Sequence, residues 1–100
     1  MIVDLCRHLQ THGEYVLSKQ LIRSGTSIGA NVEESVSAES RKDFSHKLNI
    51  ALKEAREAHY WLRLLGASQS VPASDLADHL AAADEIVRLL AAITKRLRGT

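Results

Sequence analysis

The chain has 100 residues, enough for one domain at about 100–200 residues each. Of these, 45% are apolar and 25% charged, and the few aromatics are Tyr15, Phe44, Tyr60 and Trp61. This composition excludes a disordered chain, a disulfide-stapled module (Cys6 is the single cysteine), and a membrane span, because no uncharged apolar stretch approaches 18 residues. Thirteen Lys and Arg against 12 Asp and Glu leave a net charge of +1, and the pI is near 8.0. That is short of the above-9 value that flags a nucleic-acid-binding domain, so any such reading rests on how the charges are arranged. Asp4, Arg7 and His8 interrupt the N-terminal apolar run, which argues against a signal peptide and for a cytoplasmic location.

In chain order, a first helix is expected at about residues 2–12, with Ile2, Leu5 and Leu9 inward. Cys6 within it reads as core rather than reactive, and Gly13 breaks it. A second helix is expected at about 16–37, with Leu17, Leu21, Ile28, Val32 and Val36 along its seam. Gly25 and Gly29 sit inside it, and each costs roughly 1 kcal/mol against Ala. Two missing side chains on one face would let another backbone approach closely. A third helix spans about 40–65, where Ser40 and Asp43 resemble a capping box. Its seam of Phe44, Leu48, Ala51, Ala55, Ala58, Leu62 and Leu65 steps 4,3,4,3,4,3. Gly66 is placed to end it, a linker with Pro72 follows, and Ser74 is placed to cap the next helix.

The fourth helix, about 75–98, repeats those steps through Leu76, Leu80, Ala83, Val87, Leu90, Thr94 and Leu97. Asp75 and Asp78 open it, and Lys95, Arg96 and Arg98 close it, as the helix dipole favours. Asp43–Lys47 and Asp84–Arg88 are acid-before-base i,i+4 pairs. The whole predicts an all-α, antiparallel up-down-up-down four-helix bundle with a short first helix.

Three stripes lie beside the seams. Gln20, Ser24, Ser27, Asn31 and Glu34 step 4,3,4,3 and form a polar stripe. It reads as a hydrogen-bonded seam between helices or subunits, or else as a solvated face. Lys42, His46, Asn49, Lys53, Arg56, Tyr60 and Arg63 form a basic stripe roughly 30 Å long. Such a stripe suits a phosphate backbone, with Tyr60 as a stacking surface and Lys19 and Arg23 extending it. Glu39, Asp43, Glu54 and Glu57 on or beside that helix dilute the field, and the bland alternative is a salt-bridged solvent face. Finally, Ile50, Trp61 and Leu64, with Ile86, Leu89 and Ile93 on the fourth helix, widen the apolar arc. They predict a subunit contact, or simply a wide core stripe.

Chemistry finds little support. Asp4, His8 and His12 share a helix face at zinc-ligand spacing, but no further ligand is assured. A di-iron centre needs Glu-x-x-His on two helices, and Asp43-x-x-His46 stands alone. Gly25-Thr26-Ser27 lacks the lysine of a phosphate loop. The expectation is no enzyme, no metal and no cofactor, with a small metal-binding bundle enzyme as the remote alternative.

The string Gln20-Leu21-Ile22-Arg23-Ser24-Gly25-Thr26-Ser27-Ile28-Gly29-Ala30-Asn31-Val32-Glu33-Glu34 carries a resemblance. It continues through Ala38-Glu39-Ser40-Arg41-Lys42-Asp43-Phe44, Ile50-Ala51-Leu52-Lys53-Glu54-Ala55-Arg56-Glu57 and Tyr60-Trp61-Leu62-Arg63-Leu64-Leu65. Together these segments closely resemble the bacterial four-helix-bundle family named after reading frames in intervening sequences of 23S ribosomal RNA genes. The resemblance implies a bundle that assembles into a ring, commonly a homopentamer, with no enzymatic activity or cofactor. It also includes accessory proteins of diversity-generating retroelements, which implies RNA or DNA and a reverse transcriptase as partners. Family members usually carry a longer first helix than this chain shows. The functional expectation is a non-enzymatic, homo-oligomeric helical scaffold or adaptor. The alternative is a protein-interaction ring without nucleic-acid affinity.

Overall fold

The computed structural model describes residues 2–4, 7, 15–68 and 73–98. Residues 2–4 and 7 are helical and are labelled α1. The long helices are α2 (Tyr15–Val36), α3 (Arg41–Ser68) and α4 (Ala73–Leu97). Every described element is helical, as the Leu- and Ala-rich composition predicts. The expectations for Leu5, Cys6, His8, Leu9, His12, Gly13 and Pro72 lie outside the described residues.

The cap on α3 forms as its sequence requires. The Asp43 amide donates to Ser40 Oγ at 3.0 Å, and the Phe44 amide to the Ser40 carbonyl at 2.9 Å. The first satisfies one of the amides a helix start leaves open, and the second is the first intrahelical bond, accepted by the cap residue's own carbonyl. At the other end, Gly66 does not stop α3, which runs on to Ser68. Packing supplies the reason for a glycine there: a Cβ on Gly66 would stand 2.7 Å from Leu76 Cδ2, so its absence admits α4.

The helix α3 lies in the middle, packed against both α2 and α4. Glu34 meets Lys47, while Arg23 meets Glu54 and Glu57. Partners on α3 thus rise as those on α2 fall, and the pair is antiparallel. The α3 seam is buried from Leu48 to Leu65, with Phe44 half-buried at its start. It supplies two apolar clusters. One joins Leu21, Ala58, Leu62, Leu65, Leu76 and Ala83; the other joins Leu48, Ala51, Leu52, Ala55 and Leu90. Ile28 of α2 packs against both and makes the core continuous. Thr94 takes its seam position fully buried, with Oγ1 donating to the Leu90 carbonyl at 2.9 Å.

The α2 seam departs from expectation. Leu21 is fully buried and Leu17 and Ile28 are half-buried, yet Val32 is 38% and Val36 80% exposed. Periodicity places all five on one face, but burial fades toward the C-terminal end of α2. Ile2 packs on Gly25, where an added Cβ would lie 3.1 Å from its Cδ1 and Cγ2. Gly29, one turn further, has no described atom within 4 Å of such a Cβ. Close packing is therefore found at Gly25 and not, within this chain, at Gly29.

Candidate nucleic-acid interface

The basic stripe forms one wall of the open furrow between α3 and α4. Lys42, His46, Lys53, Arg56, Tyr60 and Arg63 are all exposed, and Asn49 is half-buried. Three indentations follow one another along the furrow. The first, of about 520 Å³, is lined by Arg41, Lys42, Ser45, His46, Asn49 and Leu97. The next, of about 290 Å³, shares Asn49 and adds Lys53, Arg56, Thr94 and Arg98. The last, of about 250 Å³, shares Arg56 and adds His59, Arg63, Asp84 and Val87. From Lys42 to Arg63 the wall runs about 31 Å at 1.5 Å per residue.

The four stripe cations Lys42, Lys53, Arg56 and Arg63 make no ion pair among the described residues, whereas Glu54 and Glu57 beside them do. Arg23 of α2 reaches across to Glu54 at 3.2 Å and to Glu57. Two of the acids expected to dilute the stripe are thus held against α2, on the opposite flank of α3. The same contact removes Arg23 from the stripe it was expected to extend. Asp84, the acid in the furrow lining, is paired with Arg88 at 3.2 Å, and its Oδ1 lies 4.0 Å from His59 Nε2.

Lys47 does not pair with Asp43 as its spacing predicts. Its ammonium lies 2.9 Å from Glu34 Oε2, pinning the end of α2 to the start of α3. Hydrogen bonding to Glu34, then the Glu34 charge, push the Lys47 pKa above its ordinary value; Asp43 adds to this, and desolvation opposes it.

Tyr60 sits at the Arg63 end of the stripe. Its ring meets Trp61 edge-on at 5.1 Å, and Arg63 Cζ lies 5.7 Å from its centroid. Trp61 is itself held, Nε1–H donating to Glu57 Oε1 at 3.2 Å.

The polar stripe of α2 bonds mostly to its own helix. Ser24, fully buried, donates to the Gln20 and Leu21 carbonyls. Asn31 Nδ2 donates to the Ser27 carbonyl and hydroxyl. Gln20 Oε1 accepts from Arg23 Nε. Of these residues, Glu34 is the one whose described bond crosses to α3. Ser24, with Ser18 and Ser35, adds small buried polar positions to the side of α2 facing its neighbours.

Of the apolar residues beyond the seams, Leu89 is 59% and Ile86 38% exposed. Ile50, Trp61, Leu64 and Ile93 are half-buried, and Trp61 and Ile93 pack against the two clusters. Among the described residues no group of three His, Cys, Asp or Glu is arranged to hold a metal ion. The expected set Asp4, His8 and His12 includes two residues outside the described ones. No helix among the described residues is long and apolar enough to cross a membrane.

Sequence reasoning missed Arg41, His59 and Arg98 as furrow residues. Arg98 read as a dipole complement at the end of its helix, and only the docking of α4 on α3 brings it beside Lys53 and Arg56.

Comparison with known proteins agrees with the helical fold. Residues 1–92 match the sequence profile of a family described as 23S rRNA-intervening sequence protein. A crystal structure of a protein with unknown function, from the S23 ribosomal protein family of Bacteroides thetaiotaomicron VPI-5482, is similar at a TM-score of 0.90. It is 47% identical, over 94% of this chain and 88% of that one. No curated protein matches the chain significantly.

Proposed function

The chain belongs to the 23S rRNA-intervening sequence protein family, and from that premise we propose a non-enzymatic, cytoplasmic, homo-oligomeric scaffold that binds RNA or DNA along the α3–α4 furrow. One observation carries the reading. Four exposed cations line one wall with no ion pair among the described residues, while Glu54 and Glu57 are drawn to Arg23 on the other flank. A predominance of cations in a furrow whose one acid among the described residues, Asp84, is paired with Arg88 raises the local potential above what a net charge of +1 suggests.

The exposed Ile86 and Leu89, with Ile93 beside them, supply an apolar strip for a second copy. Assembly into a ring, five-membered by the resemblance, repeats the furrow around the particle so that weak contacts add. By the same resemblance, a reverse-transcriptase-like protein is the partner the scaffold would serve.

The test is a fluorescence-polarisation titration of labelled oligonucleotides at about 50 and 200 mM salt. Neutralising four phosphates of a single strand gives a log–log slope of about −2.8, or roughly fiftyfold weaker binding over that interval. Reversing Lys53, Arg56 and Arg63 to Glu should abolish binding. Absence of binding at low salt overturns the reading. An intact oligomer with no oligonucleotide affinity would favour the protein-interaction ring, to which the 59% exposure of Leu89 already points.

A further inference from the structure

Resting on that nucleic-acid reading, we infer that the α3–α4 furrow takes a single strand rather than a duplex, with Tyr60 as the face on which a base stacks. The two helices pack directly on one another and leave an open furrow between their outer side chains. A duplex keeps its bases stacked inside a rod of phosphates and offers the exposed Tyr60 ring no free base face. A single strand can lay its backbone along the cations and turn its unstacked bases inward.

The furrow is built for the second arrangement. Cations line each of its indentations, and Asn49 and Arg56 are shared between neighbouring ones. Their linings combine those cations with apolar Leu52, Val87, Ala91 and Leu97 and the amide of Asn49. A phosphate has no use for an apolar lining, whereas a base has both faces and edges to satisfy.

Tyr60 completes the case. The residue is 48% exposed beside the last indentation, next to its lining residue Arg63, and its ring is flanked by Trp61 at its side and the Arg63 guanidinium above it. Trp61 is anchored in turn by Glu57, and Glu57 by Arg23 of α2. An aromatic ring held this way stacks a base with little ordering cost, and the guanidinium beside it meets the adjoining phosphate.

The experiment compares a labelled strand of about 15 nucleotides with its own blunt duplex, using the intact protein at one low salt concentration. The strand should bind at least about tenfold more tightly than the duplex. Tyr60→Ala should weaken the strand about tenfold and leave the duplex unchanged, and Tyr60→Phe should restore the strand. A duplex bound as tightly as the strand, or a Tyr60→Ala variant with unchanged strand affinity, overturns the single-strand inference while the nucleic-acid reading stands. Binding of neither form overturns both.

Discussion

Gly25 and Gly29 occupy the same face of α2 one turn apart, and alanine should act on them in opposite ways. In a helix interior alanine is favoured over glycine by roughly 1 kcal/mol, through the entropy glycine loses on folding. At Gly29 nothing described opposes that gain, since no atom lies within 4 Å of the new Cβ. Gly29→Ala should therefore stabilise by about 0.4–1 kcal/mol and raise Tm by about 2–8 °C in a domain of this size. At Gly25 the new methyl meets Ile2 twice at 3.1 Å, so Ile2 must withdraw by a few tenths of an ångström. That displacement offsets the propensity gain and leaves Gly25→Ala near or below wild type. The assay is thermal unfolding by circular dichroism at one fixed protein concentration, because assembly makes Tm concentration-dependent. Sedimentation velocity would accompany it. A Gly29→Ala variant that loses stability, or dissociates, would refute the reasoning: the stripe would then be covered by another subunit rather than open.

Leu62, with no exposed surface, should lose about 2–5 kcal/mol when changed to Ala, measured by urea unfolding, whereas Val36→Ala, at an 80% exposed position, should stay within about 0.5 kcal/mol. Lys47 is held above its ordinary pKa by Glu34, so its contribution is fully present below about pH 10.4 and lost as pH rises through the higher folded value. Lys47→Met should accordingly show a shallower alkaline fall in Tm than wild type; an unchanged slope would count against the contact. Arg23→Ala should release Glu54 and Glu57 and weaken oligonucleotide binding a few-fold at low salt, with the difference vanishing near 1 M, where screening acts within about 3 Å.

The core of α3 and α4 was legible because a heptad seam needs only a period and a length. Leu48, Ala51, Ala55, Ala58, Leu62 and Leu65 are buried where their spacing puts them. The same logic overreached on α2. A period says which residues share a face, but not whether anything covers it, and Val32 and Val36 stay exposed. Gly66 misled for a related reason. Glycine ends helices often enough to be read as a stop, yet here Leu76 occupies the volume a side chain would need. Propensity is local, and packing overrides it where two helices must come close.

The candidate site divides along the same line. Its cations were legible, since side chains at steps of three and four share a helix face whatever the tertiary fold. The fate of the acids was not. Glu54 and Glu57 lie on α3 among the cations, and in sequence they weaken the field as much as Lys53 and Arg56 build it. Tertiary pairing undoes that symmetry: Arg23 sits more than thirty residues away and takes both carboxylates to the α2 side. The chain-wide sum stays near zero while one furrow becomes basic and the opposite flank, where one Arg23 meets two carboxylates, stays acidic. A near-neutral pI therefore argues against a basic domain but not against a basic groove, and what decides between them is which cations the acids meet once the helices pack.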